Sequence, residues 1–494
     1  MTLDSITARR HRTPWAALAL IVTAQFMVIL DIAIVNVALP SIKSDLHFSE
    51  ASLQWVITAY AILFGGVLLL GGRLADLLGR RRLFVVGITI FSASSLAAGL
   101  AWSAGSLIAF RALQGLGGGL LAPAALSILM TTFTEGWQRN VALGIYGAAS
   151  GSGGAAGVLL GGVLTSYLHW SSIFFINIPV GLAVVALAPV LLQESRAALS
   201  HRHFDVAGAA TITGGLMLLV YALTRATQDG WATASTVGLL AGSAALVAAF
   251  VVIELRSPAP LLPMRLFRLR TLAAANATMV VIGWVAFSQF FLSTLYFQQV
   301  LGYSPVKTGV AFIAITLSIV VFSNVAQILV TRLGVRRVLA TGLALETVAA
   351  GLLIRIPADG HYFRDVFPSL VIGGIGLAFS FVPVTIAGLA GVARADAGVA
   401  SGLINTSRQI GGAVGLAAMS TIAATYAGNY AAGHPGTSAL AAAPLTHGFQ
   451  VAFGVLGAIS LLGAVIAATL VQSSPETATV ERLDERVAAL DEAA

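Results

Sequence analysis

Two charged residues stand inside apolar runs long enough to cross a bilayer. Arg111 lies in SLIAFRALQGLGGGLLAPAALSILM, Ser106–Met130, which holds no other charge. Asp31 stands alone in the run Trp15–Leu39. A charged side chain at mid-bilayer costs roughly 2.5–3.5 kcal/mol even on insertion scales, so such residues pair or work. The chemistry open to a carboxyl beside a guanidinium is proton binding. Burial favours a neutral carboxyl and a nearby cation favours the ionised one, so movement that changes their separation changes protonation. Arginine suits the partner's role because it does not itself deprotonate.

Spacing places the two charges at one depth. Asp31 lies nine residues before Pro40, where the first run ends, and Arg111 lies eight residues after Ser103, where the fourth begins. At 1.5 Å per residue both sit about 12–14 Å below the same boundary. The residues alone leave a structural salt bridge and a proton-coupling pair both open, because burying an ion pair is not in itself stabilising. Glu346, midway along LATGLALETVAAGLL, is a candidate second protonation site, a contact for a cationic substrate, or a packing device. Arg408, near one end of its run, either faces the interior or snorkels to the interface. Asn36, Gln114, Gln289, Asn324 and Asn405, with Asn276 and Gln327, either line a cavity or bond between helices. Glu254, at a segment end, reads as solvated.

The elements that must position these groups follow from composition. Only 10% of the 494 residues are charged, 57% are hydrophobic, and the mean hydropathy is +0.91, against about a quarter charged in soluble domains. The chain is therefore expected to be an all-α polytopic membrane protein, since a spanning helix needs about 20 apolar residues. Cutting at charged and Pro/Gly-rich breaks gives fourteen segments: 15–39, 52–72, 83–102, 106–131, 141–166, 172–192, 206–225, 235–255, 271–300, 308–331, 337–356, 366–393, 401–427 and 447–471. Of the 27 basic residues, twenty fall on one side of that alternation, five on the other, and Arg111 and Arg408 within helices. Positive charge marks the cytoplasmic side, so both termini are expected there, with anionic lipid rather than nucleic acid as the neighbour of the arginines. The first run is too long for a signal-peptide core and is read as a retained helix.

An internal repeat organises the count. GGRLADLLGRRRLF, Gly71–Phe84, and AQILVTRLGVRRVL, Ala326–Leu339, share Leu, Leu, Gly, Arg and Arg at an offset of 255 residues. They follow the second and tenth segments, eight apart. Two six-helix halves would put them six apart, so two additional helices lie between the halves. The expected layout is an N-terminus over 1–14, a six-helix bundle over 15–192, a linker with two additional helices over 193–270, a second bundle over 271–471 and a tail over 472–494. Repeated halves with a site between them are a transporter architecture.

These motifs resemble a known family. GGRLADLLGRRRLF is similar to the loop signature of the major facilitator superfamily, with Gly72, Asp76, Gly79, Arg80 and Arg81 in place and Leu77 where an Arg is usual. RALQGLGGGLLAP, LDIAIVNVALP, HWSSIFFINIPVG and GLINTSRQIGGAVG resemble helix signatures of its fourteen-helix drug:proton antiporters. GVLLGGVL resembles the antiporter signature of the fifth helix, with Gly157, Gly161 and Gly162 matching and Val158 in place of Pro. The resemblance implies export of amphipathic drugs or organic compounds in exchange for protons by alternating access, with the proton entering at Asp31 from outside and Arg111 tuning it. It implies a gating loop in which Asp76, able to sit at a helix N-terminus, is clamped by the flanking arginines. It also implies a bacterial plasma-membrane protein, monomeric and driven by the proton gradient without a cofactor. A dedicated exporter of one metabolite or self-made antibiotic is the nearer alternative; a membrane sensor or channel is more distant.

Other classes lack their residues. No G-x-x-x-x-G-K-[ST] loop occurs and the only lysines are Lys43 and Lys307, so an ATP-driven pump is not expected. There is no cysteine and no H-E-x-x-H, and the histidines are dispersed except for His201 and His203, so neither a metal site nor an enzyme is expected. The tail ERLDERVAALDEAA reads as a short amphipathic helix.

Overall fold

The structure is a computed structural model and describes residues 3–48, 50–134, 136–196, 205–258, 260–434 and 436–471. His201, His203 and the tail lie outside them. Among the described residues the chain is helical without strands, as an apolar solvent requires: helices satisfy their own backbone groups.

Among the described residues fourteen long helices follow one another: α1 Leu3–Asp45, α2 Trp55–Leu78, α3 Arg80–Gly99, α4 Ala104–Thr132, α5 Trp137–Tyr167, α6 Asn177–Leu191, α7 Val206–Asp229, α8 Ala234–Arg256, α9 Arg270–Leu295, α10 Ile313–Leu333, α11 Val335–Leu353, α12 Phe367–Leu389, α13 Ala397–Ala432 and α14 Ala442–Leu470. Short helical turns at Ser172–Phe175 and Pro305–Ala311 precede α6 and α10. Thirteen of these stretches are long and apolar enough to span a membrane. The exception, α11, carries Arg336, Arg337 and Glu346, yet it packs between α12 and α14 like its neighbours. The first helix differs from expectation at both ends, beginning upstream of Pro14 and continuing past Pro40. Its extension is fixed where Trp170 Nε1 donates to Asp45 Oδ2 at 2.7 Å.

Packing resolves two sets of six helices and a pair between. In the first set α4 lies against α2 and α3, α1 against α5, and α6 against both α1 and α3. In the second, α12 lies against α11 and α10, while α9, α13 and α14 pack together. The sets meet where α2 crosses α13 and α5 crosses α10. The pair α7 and α8 pack on each other, and α7 rests on α2.

The repeated loop has one backbone form in both copies. Gly79 between α2 and α3 has φ 111°, and Gly334 between α10 and α11 has φ 81°. Each ends one helix and begins the next, a reversal that only glycine makes without strain. Gly79 is further hemmed in, since an added Cβ would lie 2.6 Å from Glu194 Oε1. Replacing Gly79 or Gly334 by Ala is expected to destabilise the protein by about 1–3 kcal/mol each. Gly428→Ala, at a position with nothing within 4 Å, is expected to lose nothing. Thermal unfolding of the purified variants in detergent checks both.

Candidate functional site

Asp31 and Arg111 meet. Arg111 Nη1 donates to Asp31 Oδ2 at 2.6 Å, with the two side chains 1% and 0% exposed. Gln114, one turn along α4, accepts from Arg111 Nη1 at 2.7 Å and donates through Nε2 to Asp31 Oδ1 at 2.9 Å. Asn177, at the start of α6, donates to the same Oδ1 at 2.8 Å and to Ser95 Oγ of α3 at 3.0 Å. Ser95 Oγ in turn donates to the Phe174 carbonyl at 2.9 Å. On its other side Arg111 Nε donates to the Val56 carbonyl of α2 at 3.2 Å, and the guanidinium lies 4.3 Å from the centroid of Tyr60. One carboxylate thus takes three donors, and its cation holds two further oxygens and an aromatic face. Charge-assisted bonds of this kind are the strong ones, and a cation over an aromatic face adds to them.

The glycines of α5 make room for this cluster from behind. An added Cβ at Gly157 would lie 2.6 Å from the Leu30 carbonyl, and one at Gly161 3.0 Å from Ile34. α5 therefore lies directly against the back of α1 at the depth of Asp31, as small residues permit in membrane interfaces. Gly162 instead faces Val306, ahead of α10. With Val158 in the signature's proline position, α5 is one unbroken helix.

A second cluster sits where the two sets of helices meet, at the arginine-rich end. Asp76 Oδ1 accepts from Arg80 Nη2 at 2.6 Å and from the Gly398 N–H at 3.1 Å; Oδ2 accepts from the Val399 N–H at 3.2 Å. These are the first amides of α13, so a carboxylate from one half caps a helix of the other, where the dipole favours an anion. The backbones of Gly72 and Gly398 touch, so that neither position has room for a Cβ. Arg81 is turned the other way. It donates to the Leu192 carbonyl at 3.2 Å, and the amides of Arg81 and Arg82 both donate to Glu194 at 3.2 Å. The clamp on Asp76 is therefore Arg80 alone, because Arg81 lies on the side of α3 that faces the end of α6.

The remaining candidates scatter. Asn36 is exposed and bonds to its own helix at the Ile32 carbonyl. Asn324 is exposed on the same stripe of α10 as Leu317, Val321 and Ile328, away from the interior. Arg408 is buried rather than snorkelling, because α13 starts at Ala397 and carries it about 16 Å inward. Its Nη2 donates to Asn405 Oδ1 at 3.3 Å, and Asn405 in turn donates to the Ser401 carbonyl at 2.9 Å. Asn276 accepts from Ser407 at 2.9 Å, and Gln327 is buried opposite Gly144 of α5. Gln289 and Glu346 are buried in the second half. Glu254 is not solvated: it is 4% exposed and accepts from the amides of Leu261 and Leu262 at 3.1 Å each. The turn after α8 folds back over it and needs an acceptor.

Sequence reading did not assign Tyr60, Ser95 or the Val56 carbonyl to the site. Nothing about a serine in SASSLAAG or a tyrosine in TAYAIL marks it as facing an arginine. Asn177 had a signal, a polar residue breaking the apolar run SIFFINIPVG. Glu194 as a helix cap required knowing that the end of α6 lies over the start of α3.

Removing the cation while leaving the carboxylate breaks a buried pair from one side, which costs about 3–5 kcal/mol. Arg111→Ala and Asp31→Asn are each expected to lower stability by that order, since the amide that keeps an oxygen for Asn177 and Gln114 turns its NH2 toward the Arg111 guanidinium and leaves that buried cation without an anion. Thermal unfolding of both singles and the double variant measures the coupling. Asp76→Ala is expected to raise amide hydrogen exchange at Gly398 and Val399 several-fold and to leave exchange at Arg81 and Arg82, capped by Glu194, unchanged.

Comparison with known proteins places this geometry in a family. Residues 21–416 match the Major Facilitator Superfamily. The chain is 38% identical to the puromycin resistance protein of Streptomyces alboniger over 94% of its own length and 92% of that protein's. It is 40% identical to the cephamycin export protein of Amycolatopsis lactamdurans, covering 85% of this chain and 87% of the other. It is also 33% identical to the transporter EfpA of Mycobacterium tuberculosis, covering 82% and 76%. The crystal structure of the human organic anion transporter MFSD10 superposes with a TM-score of 0.65 over 92% of this chain and 99% of that one, at 14% identity, and so shares the fold. With its fourteen helices, its repeated halves and this similarity along its length, the chain belongs to the Major Facilitator Superfamily.

Proposed function

We propose that this protein exports amphipathic organic compounds, antibiotics among them, in exchange for protons by alternating access. The observation that carries the reading is the Asp31–Arg111 pair, held wholly out of water by Gln114 and Asn177. A purely structural role would be met at lower cost by apolar side chains of similar volume. A group that must gain and lose a proton needs the charge. Relatives named for puromycin resistance and cephamycin export support the substrate class.

The chain's own residues supply the coupling. The ionised Asp31 carboxylate draws donors from α4 and α6 onto α1. A proton on it removes the charge that Arg111 answers, weakens those bonds, and frees α1 to shift against α4. The same shift moves the α1–α5 face, because the glycines of α5 hold α1 at that depth. Asp76, capping α13 with Arg80 beside it, holds the arginine-rich ends of the halves together. We place that end in the cytoplasm of a bacterial cell, where anionic lipid would meet the arginines, with the chain working as a monomer and without a cofactor. Each proton entering down 100 mV delivers about 2.3 kcal/mol.

The second reading is a dedicated exporter of one antibiotic, favoured by relatives whose names each carry a single compound, such as lincomycin or puromycin. Efflux from cells given puromycin, and separately ethidium, tests both. Wild type is expected to export in a protonophore-sensitive way, while Asp31→Asn and Arg111→Ala insert in the membrane and do not. Export by Asp31→Asn at the wild-type rate would remove the pair from the mechanism. Export of one compound alone would favour the narrow reading, and indifference to protonophore would leave a channel.

A further inference from the structure

The first half answers its buried charge; the second half does not. Glu346 of α11 is 1% exposed, and neither carboxyl oxygen has a hydrogen-bond partner among the described residues. Gln289 of α9 is 2% exposed, and neither of its amide atoms has one. Both side chains lie on one glycine face of α12. A Cβ added at Gly373 would come within 2.6 Å of Gln289 Nε2, and one at Gly376 within 3.0 Å of Glu346 Cγ. The two glycines are three residues apart, hence one turn.

This position is not arbitrary in the fold. At the 255-residue offset of the internal repeat, α9 corresponds to α1, α11 to α3 and α12 to α4. Gln289 falls within about one turn of the counterpart of Asp31, and Glu346 within about one turn of the counterpart of Ser95. The second half therefore carries its own buried polar cluster in the corresponding helices, with a carboxyl on the third helix of the set and no arginine on the fourth.

Among the described residues no cation pairs with that carboxyl. α12 carries no charged residue. On the other helices packed around α11 the titratable groups are Arg270 of α9, Arg332 of α10 and His447 of α14, whose ring lies 5.2 Å from that of Tyr430. The turn Tyr362–Val366 adds Tyr362 and the mutually paired Arg364 and Asp365, and the turn after α9 adds Tyr296. On α11 itself Arg336 and Arg337 lie ten and nine residues away, about 13–15 Å along the axis. An ionised carboxylate left unpaired in such a place is strongly disfavoured, and at 1% exposure the side chain is closed to solvent.

We propose that Glu346 is a second proton-binding site, so that each half of the transporter holds one, and that it carries its proton in this conformation, in which Asp31 is bound to Arg111. The acid keeps its proton while α11 and α12 stay in contact and exchanges it with solvent when they part. The inference rests on the antiport reading for its purpose, though the site itself is testable without substrate.

Infrared spectroscopy of the purified, lipid-reconstituted protein reads it directly. Wild type at neutral pH is expected to show the carbonyl-stretch band of a neutral carboxylic acid in a dry environment. The band should be lost in Glu346→Gln, displaced in frequency in Glu346→Asp, and kept in Asp31→Asn. Transfer to heavy water should shift it to lower frequency as the proton exchanges. Absence of the band in wild type, or its survival in Glu346→Gln, would overturn the proposal. A band that never shifts in heavy water would also overturn it, by showing a sealed structural acid. Failure of the antiport reading shows up separately, as efflux indifferent to protonophore with these bands unchanged.

Discussion

The first half of this protein is built around one ion pair that the surrounding solvent will not tolerate alone. Four helices give side chains to it: α1 the carboxylate, α4 the guanidinium and an amide, α6 a second amide, α3 a hydroxyl. α2 adds a carbonyl and an aromatic face. A buried charge left without its partner is costly, so the pair dictates where those helices stand. The glycines of α5 complete the arrangement from behind, because α1 cannot sit at that depth unless its neighbour yields the space of a side chain.

The repeated halves share a backbone plan and differ in polar content. Gly79 and Gly334 make the same reversal at the same point of each copy. The ion pair has no copy, and in its place the second half holds a carboxyl and an amide without partners among the described residues. The two halves share a helix path because packing and loop geometry set it, while the polar side chains along it differ.

Between the halves the decisive contact is again a carboxylate, used differently. Asp76 meets helix N–H groups as well as an arginine, so it joins a side chain of one half to the backbone of the other. Glu194 repeats the device inside the first half by capping α3 from the end of α6. Both acids sit where the first amides of a helix lack intrahelical partners.

The sequence by itself determined the class, the fourteen segments and the presence of two charges at one depth. Each follows from local quantities: hydropathy over a span, the rise of a helix, the side on which arginines collect. It also located the repeat, because a glycine reversal between helices leaves a mark in one dimension. Only the tertiary structure decided which polar groups meet. Ser95 and Tyr60 join the site because helix rotation turns them inward, and the same rotation turns Asn324 out among Leu317, Val321 and Ile328. Glu254 looked solvated at a helix end until a turn folded over it. Arg81 and Arg80 are adjacent in sequence, yet one reaches Asp76 and the other the end of α6. In a chain so uniformly apolar, composition says that a residue is inside the membrane, but the azimuth of each helix, set by packing, says what it touches.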